Sequence, residues 1–203
     1  LCSELLTNDV SRMKELSFSN KELQFSAITM GEGPLVICLH GFPDCLHSFR
    51  HQMPALAAAG YRVVAPCLRG YEPSSQVANG HYPIPVMTED VIALMDHLGA
   101  EKAHLIGHDW GAINCWQFVQ LHPELVERLV IMSVPLRPVA DVPPIEFLRG
   151  YFADNFFYQV YFQEPGVAEA EFDADPEGIL RALYCSPDTP RHPPVLGKAL
   201  SEG

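Results

Sequence analysis

The segment Gly107-His108-Asp109-Trp110-Gly111 constrains this chain more than any other, because it places an acidic residue between small ones where the hydrophobic period changes. Ala103 to Ile106 before it reads as a strand, and Ala112 to Leu121 after it reads as a helix. Small residues on either side relieve the sharp turn that this junction requires. Such a turn lifts the Asp109 side chain above the sheet and aims the backbone N–H of Trp110, at the helix start, towards the same point. A turn aspartate that only caps the following helix is the plainer alternative.

The rest of the chain supplies the sheet that such a junction needs. Leu23 to Met30 alternates loosely, Gly31-Glu32-Gly33-Pro34 marks a turn, and Leu35 to Leu39 is a continuous apolar run, the pattern of a strand buried on both faces. Ser48 to Ala59 suits a helix ending near Gly60, Tyr61 to Ala65 a strand, Thr88 to Leu98 an amphipathic helix, and Val126 to Met132 a further strand. Repeated units of this length imply an α/β fold, a mostly parallel sheet with helices on both faces. After Pro135 the texture changes to clustered prolines and an aromatic stretch from Phe147 to Phe162, so the chain divides into residues 1–134 and a second unit, residues 135–203. Beyond Asp173 the prolines leave room for at most a short helix around Gly178 to Tyr184.

A second motif agrees with the first. His40-Gly41-Phe42-Pro43 directly follows the buried strand ending at Leu39, so the N–H groups of Phe42 and Trp110 can form a pair that holds a developing negative oxygen. With aspartate in place of the usual serine, the favoured chemistry is carboxylate attack on carbon to give an alkyl ester.

Taken together, HGFPD, GYRVVAP followed by RGYEPSS, and GHDWGA resemble the core of the epoxide hydrolases of the α/β-hydrolase superfamily, from about Leu23 to about Phe172. The stretch Phe157 to Gly166 resembles the beginning of that family's helical cap. The resemblance implies that Asp109 is the nucleophile, that Phe42 and Trp110 form the oxyanion hole, and that His40, Pro43 and His108 surround the substrate pocket. The two histidines are expected to pack and hydrogen-bond more than transfer protons. It also implies that Tyr158 is one of two cap tyrosines that hydrogen-bond the epoxide oxygen. A phenol with a pKa near 10 stays protonated at neutral pH and can donate as the ring opens. Tyr161 is read as a packing residue. No cofactor and no metal is implied.

Departures from the family pattern are Cys67 and Glu72 around the Arg69-Gly70 turn, and Asp44 where glutamate is more common. The resemblance also requires an acid and a histidine after the cap, and a second cap tyrosine. His122 closes the elbow helix and His192 lies in the proline-rich tail, so neither has the strand-end context of the base, and Tyr184 has no motif to recommend it. The expectation is therefore a partial cap on a chain that is C-terminally incomplete. A sheet ending at Val126 to Met132 would leave an apolar parallel edge uncovered, unless a second copy (a homodimer) or an atypical C-terminal segment covers it.

Composition narrows the partners. The 13 basic and 25 acidic residues give a formal charge of -12 without a basic cluster, which argues against nucleic acid and suits a cytoplasmic chain. No apolar run approaches the roughly 20 residues of a membrane span. Six cysteines without a C-x-x-C pair read as reduced core residues. The expected substrate is a small epoxide. A haloalkane dehalogenase is the nearest enzymatic alternative, although its H-G-x-P motif commonly carries asparagine where this chain has Phe42. Fluoroacetate dehalogenases are less apt, since they have arginine where Trp110 stands. A non-catalytic hydrolase-fold binding protein is the alternative from another class.

Overall fold

The computed structural model describes residues 13–136, 141–153 and 155–184. Its sheet has six strands: β1 (Lys14–Asn20), β2 (Leu23–Met30), β3 (Leu35–Leu39), β4 (Arg62–Pro66), β5 (Ala103–His108) and β6 (Val126–Met132). They lie in the order β1-β2-β4-β3-β5-β6. The first two pairings are antiparallel, and β4, β3, β5 and β6 run parallel. Strand β1 was not anticipated. Its inward residues Leu16 and Phe18 are set among polar ones, and the strand is held by pairing with β2, where Phe18 faces Phe25 with ring centroids 5.0 Å apart.

Period-two burial explains why helices cover both faces. Leu35, Ile37 and Leu39 of β3 pack with Phe25, Leu105, Leu94, Met95 and Phe118 on one side, against α2 (Ile84–Leu98) and α3 (Trp110–Leu121). Val36 and Cys38 pack with Ile28, Val63, Phe49 and Met53 on the other, against α1 (Gln52–Ala58). The expected helix over Ser48 to Ala59 is thus two pieces, a 3₁₀ turn at Leu46–Phe49 and then α1. Helix α2 begins four residues before Thr88. Pro83 precedes it and Pro85 falls in its first turn, where a missing N–H costs nothing. It ends on Gly99, whose φ of 66° is the left-handed stop.

The chain divides into two compact units, residues 1–137 and 138–203. In the second unit lie α4 (Pro144–Tyr151), α5 (Tyr158–Tyr161), α6 (Val167–Ala174) and α7 (Pro176–Leu183). The short helix expected around Gly178 to Tyr184 is α7, which starts two residues earlier, at Pro176. Asp175 accepts from the Gly178 N–H at 2.9 Å and Pro176 takes the first helical position, a proline-tolerant start for α7. Aromatic packing fills this unit, with Phe152 and Phe157 stacked at 4.1 Å. His192, Cys2, Cys185 and the tail prolines Pro187, Pro190, Pro193 and Pro194 lie outside the described residues.

Candidate active site

Asp109 stands between β5 and α3 with φ 53° and ψ -116°, a backbone conformation that an L-residue keeps only when its surroundings enforce it. Close packing supplies the enforcement. A Cβ on Gly111 would collide with the Leu39 carbonyl, and one on Gly107 would come within 2.7 Å of Cys115 Sγ. Glycine at both positions lets α3 start directly behind β3 and β5. The Asp109 carbonyl accepts from Ala112 and Ile113 at 3.0 and 3.2 Å, and its N–H donates to the Met132 carbonyl at 3.3 Å.

The H-G-F-P segment meets this elbow. The Phe42 N–H donates to Asp109 Oδ1 at 2.9 Å, and Gly41 lies so close that an added Cβ would be 2.7 Å from that oxygen. Trp110 opens α3, so its N–H has no acceptor within the helix. Trp110 as a whole is 40% exposed. The Phe42–Pro43 peptide is cis, and Pro43, Asp44 and His108 are half-buried. Asp44 Oδ1 accepts from the Cys45 N–H at 2.9 Å, a local loop contact.

His40 has no exposed surface. Both of its ring nitrogens are engaged by backbone, Nδ1 with the Gly41 carbonyl at 2.9 Å and Nε2 with the Leu68 N–H at 3.1 Å. Its ring meets Tyr71 edge-on at 4.7 Å. Burial lowers its pKa, against smaller opposing effects of the Gly41 carbonyl and Asp44. The part played by Leu68 and Tyr71 had no local signal in the sequence, because they lie one strand away from the motif they support.

The turn after β4 is pinned to β2 by two of its own side chains. Glu72 Oε1 accepts from the Ser26 N–H at 2.7 Å, and Ser74 Oγ donates to the Gln24 carbonyl at 3.0 Å. Cys67 is buried, which pushes its thiol up to about 12 and keeps it protonated. Arg69 is paired in a buried fork with Asp90 of α2, Nε to Oδ2 being 2.8 Å.

In the second unit, Tyr158 begins α5 and is 36% exposed. Its hydroxyl oxygen accepts from Gln159 Nε2 at 3.1 Å, through a lone pair rather than its proton. Tyr161 instead directs its O–H to Glu171 at 2.9 Å. Burial and that carboxylate raise its pKa. His122 ends α3, roughly 18 Å of helix from Asp109 at 1.5 Å per residue. Its ring lies against Phe118 and 4.0 Å from Glu124. Among the described residues no three His, Cys, Asp or Glu side chains gather as a metal set, and no helix is long and apolar enough to cross a membrane.

The fold that carries this junction has counterparts among known proteins. The family model described as alpha/beta hydrolase fold matches residues 34–166. The chain belongs to that family. Within it, the chain is similar to Epoxide hydrolase A of Mycobacterium tuberculosis, with 48% identity over 74% of this chain and 47% of that one. Epoxide hydrolase 3 of Siraitia grosvenorii is 35% identical over 94% of this chain and 60% of its own length. The crystal structure of Epoxide Hydrolase A from Mycobacterium thermoresistibile superposes with a TM-score of 0.76 at 46% identity, covering 81% of this chain and 53% of that one. The chain thus spans about half the length of these two curated relatives, 47% of one and 60% of the other.

Proposed function

We propose that this chain carries the alkylation half of an epoxide hydrolase that opens small epoxides to vicinal diols. The observation that carries the reading is the 2.9 Å bond from the Phe42 N–H to Asp109 Oδ1, which holds a carboxylate at a strained elbow. In the proposed reaction one Asp109 oxygen attacks a ring carbon, the ring C–O bond breaks, and Tyr158 gives its proton to the leaving alkoxide. His108 and Pro43 border the pocket. In the second step a water attacks the ester carbonyl, and the N–H groups of Phe42 and Trp110 stabilise the oxyanion. The base and acid of that step are assigned to none of the described residues. No cofactor is invoked, and the four cysteines that are unpaired among the described residues, Cys38, Cys45, Cys67 and Cys115, suit a reducing, cytosolic setting.

The names of the relatives support epoxide over haloalkane as substrate, as does Phe42, whose side chain has no donor for halide. The test is the intact mass of the chain before and after incubation with a small aryl epoxide, beside Asp109→Asn. A gain of one epoxide mass that the variant lacks supports the nucleophile. No gain with the epoxide, but one alkyl group from a haloalkane, would transfer the reading to dehalogenation. Gain from neither would leave a non-catalytic binding protein as the better account.

A further inference from the structure

The Phe42 N–H is half of a peptide unit, and the other half is held from behind. Its carbonyl is that of Gly41, and in a planar trans peptide the C=O and N–H point in opposite directions. Fixing the carbonyl therefore aims the N–H. The Gly41 carbonyl lies 2.9 Å from His40 Nδ1 and also accepts from the Asp44 N–H at 3.2 Å.

The tautomer of His40 follows from its second contact. The Leu68 N–H can only donate, so Nε2, 3.1 Å away, is the acceptor, and the ring proton sits on Nδ1, where it donates to the Gly41 carbonyl. The imidazole is completely buried and meets Tyr71 edge-on, so packing as well as its two hydrogen bonds holds the ring. The result is a relay from the loop after β4 through one neutral imidazole to the peptide that holds the Asp109 carboxylate.

We propose that His40 is a positioning residue: by donating from Nδ1 to the Gly41 carbonyl while accepting from the Leu68 N–H, it aims the Phe42 N–H at Asp109. Donation to the carbonyl also polarises the peptide and strengthens the N–H as a donor. The depressed pKa agrees, since it keeps the ring neutral at pH 7. The catalytic consequence rests on the epoxide-opening reading, whereas the aiming of the amide does not.

Two variants of the full chain separate this role from simple packing. In His40→Asn the amide nitrogen occupies the place of Nδ1 and can still donate to Gly41, but the contact with Leu68 is lost. In His40→Gln the amide oxygen reaches the place of Nε2 and can still accept from Leu68, but the donor to Gly41 is lost. The ¹H–¹⁵N resonance and hydrogen exchange of the Phe42 amide are read in both, together with the rate of alkylation by a small aryl epoxide. The expected result is a Phe42 amide in His40→Asn close to wild type. In His40→Gln it shifts upfield, exchanges about tenfold faster or more, and alkylation slows by about tenfold or more. A Phe42 amide unmoved in His40→Gln, or moved equally in both variants, overturns the proposal. If only one variant folds, its Phe42 amide against wild type decides the same question. If the wild type takes no label, the amide measurement still decides, and the epoxide reading fails on its own.

Discussion

At the scale of single residues, the proposed nucleophile is one of three described non-glycine residues with positive φ, beside Lys21 and Ser133. Asp109 is held at φ 53°, a region costing on the order of 1–3 kcal/mol for a residue with a Cβ. Asp109→Gly should relieve most of that cost, less the entropy that glycine returns to the unfolded chain. We expect a net gain of about 1 kcal/mol, read as a melting midpoint about 2–4 °C higher, with alkylation abolished. An unchanged or lower midpoint would mean that the carboxylate's bond to Phe42 outweighs the strain. His40 makes a second prediction. Its native pKa lies below that of the unfolded chain, so the unfolded state takes up a proton that the native state refuses as pH falls below about 6.5. Stability from this group is complete above that pH and is lost as pH falls through the window down to the native pKa. Urea midpoints measured at pH 7.5 and 5.5 should therefore fall towards acid, and His40→Gln should fall less.

At the scale of elements, the legible features were those whose signal is local. The apolar run of β3, the elbow junction and the left-handed stop of α2 at Gly99 each depend on neighbours in sequence. What escaped depends on pairing at a distance. Strand β1 is a strand because β2 is beside it, and Glu72 is legible only once its carboxylate is seen on the Ser26 N–H. The same holds for the buried Arg69–Asp90 pair, which ties the loop after β4 to α2 and is joined by Asn20 Nδ2 at 2.8 Å from Asp90 Oδ1. Removing one partner strands the other charge, so Asp90→Ala should cost about 3 kcal/mol in chemical denaturation. An exposed pair, such as Lys21 with Glu89 at 2.9 Å, should cost well under 1 kcal/mol by the same measurement. Equal losses for the two would mean that Arg69 finds water when Asp90 is gone.

At the scale of the whole molecule, the two edges of the sheet differ among the described residues. The β1–β2 hairpin closes the first edge with alternating polar residues, whereas β6 pairs with β5 alone among the described residues. Its Val130 is 49% and its Met132 38% exposed. The residues Leu129-Val130-Ile131-Met132 have the composition of a strand covered on both faces, so as an edge among the described strands they present apolar side chains along a backbone that no further described strand pairs. Against this stands a formal charge of -12, whose repulsion keeps copies apart at low ionic strength and is screened as salt rises, with a Debye length near 8 Å at 0.15 M. The chain by itself should therefore associate, and do so more strongly with salt. Light scattering at rising concentration in 20 mM and 300 mM salt would show it, these being about 20 Å and 6 Å in screening length. Val130→Lys places a charge on the open strand and should suppress the association at both ionic strengths, while Lys21→Ala, at the opposite edge, should not. Association that ignores Val130→Lys would locate the sticky surface elsewhere, and the exposed aromatics Phe147 and Tyr151 of the second unit would then be the surface to change next.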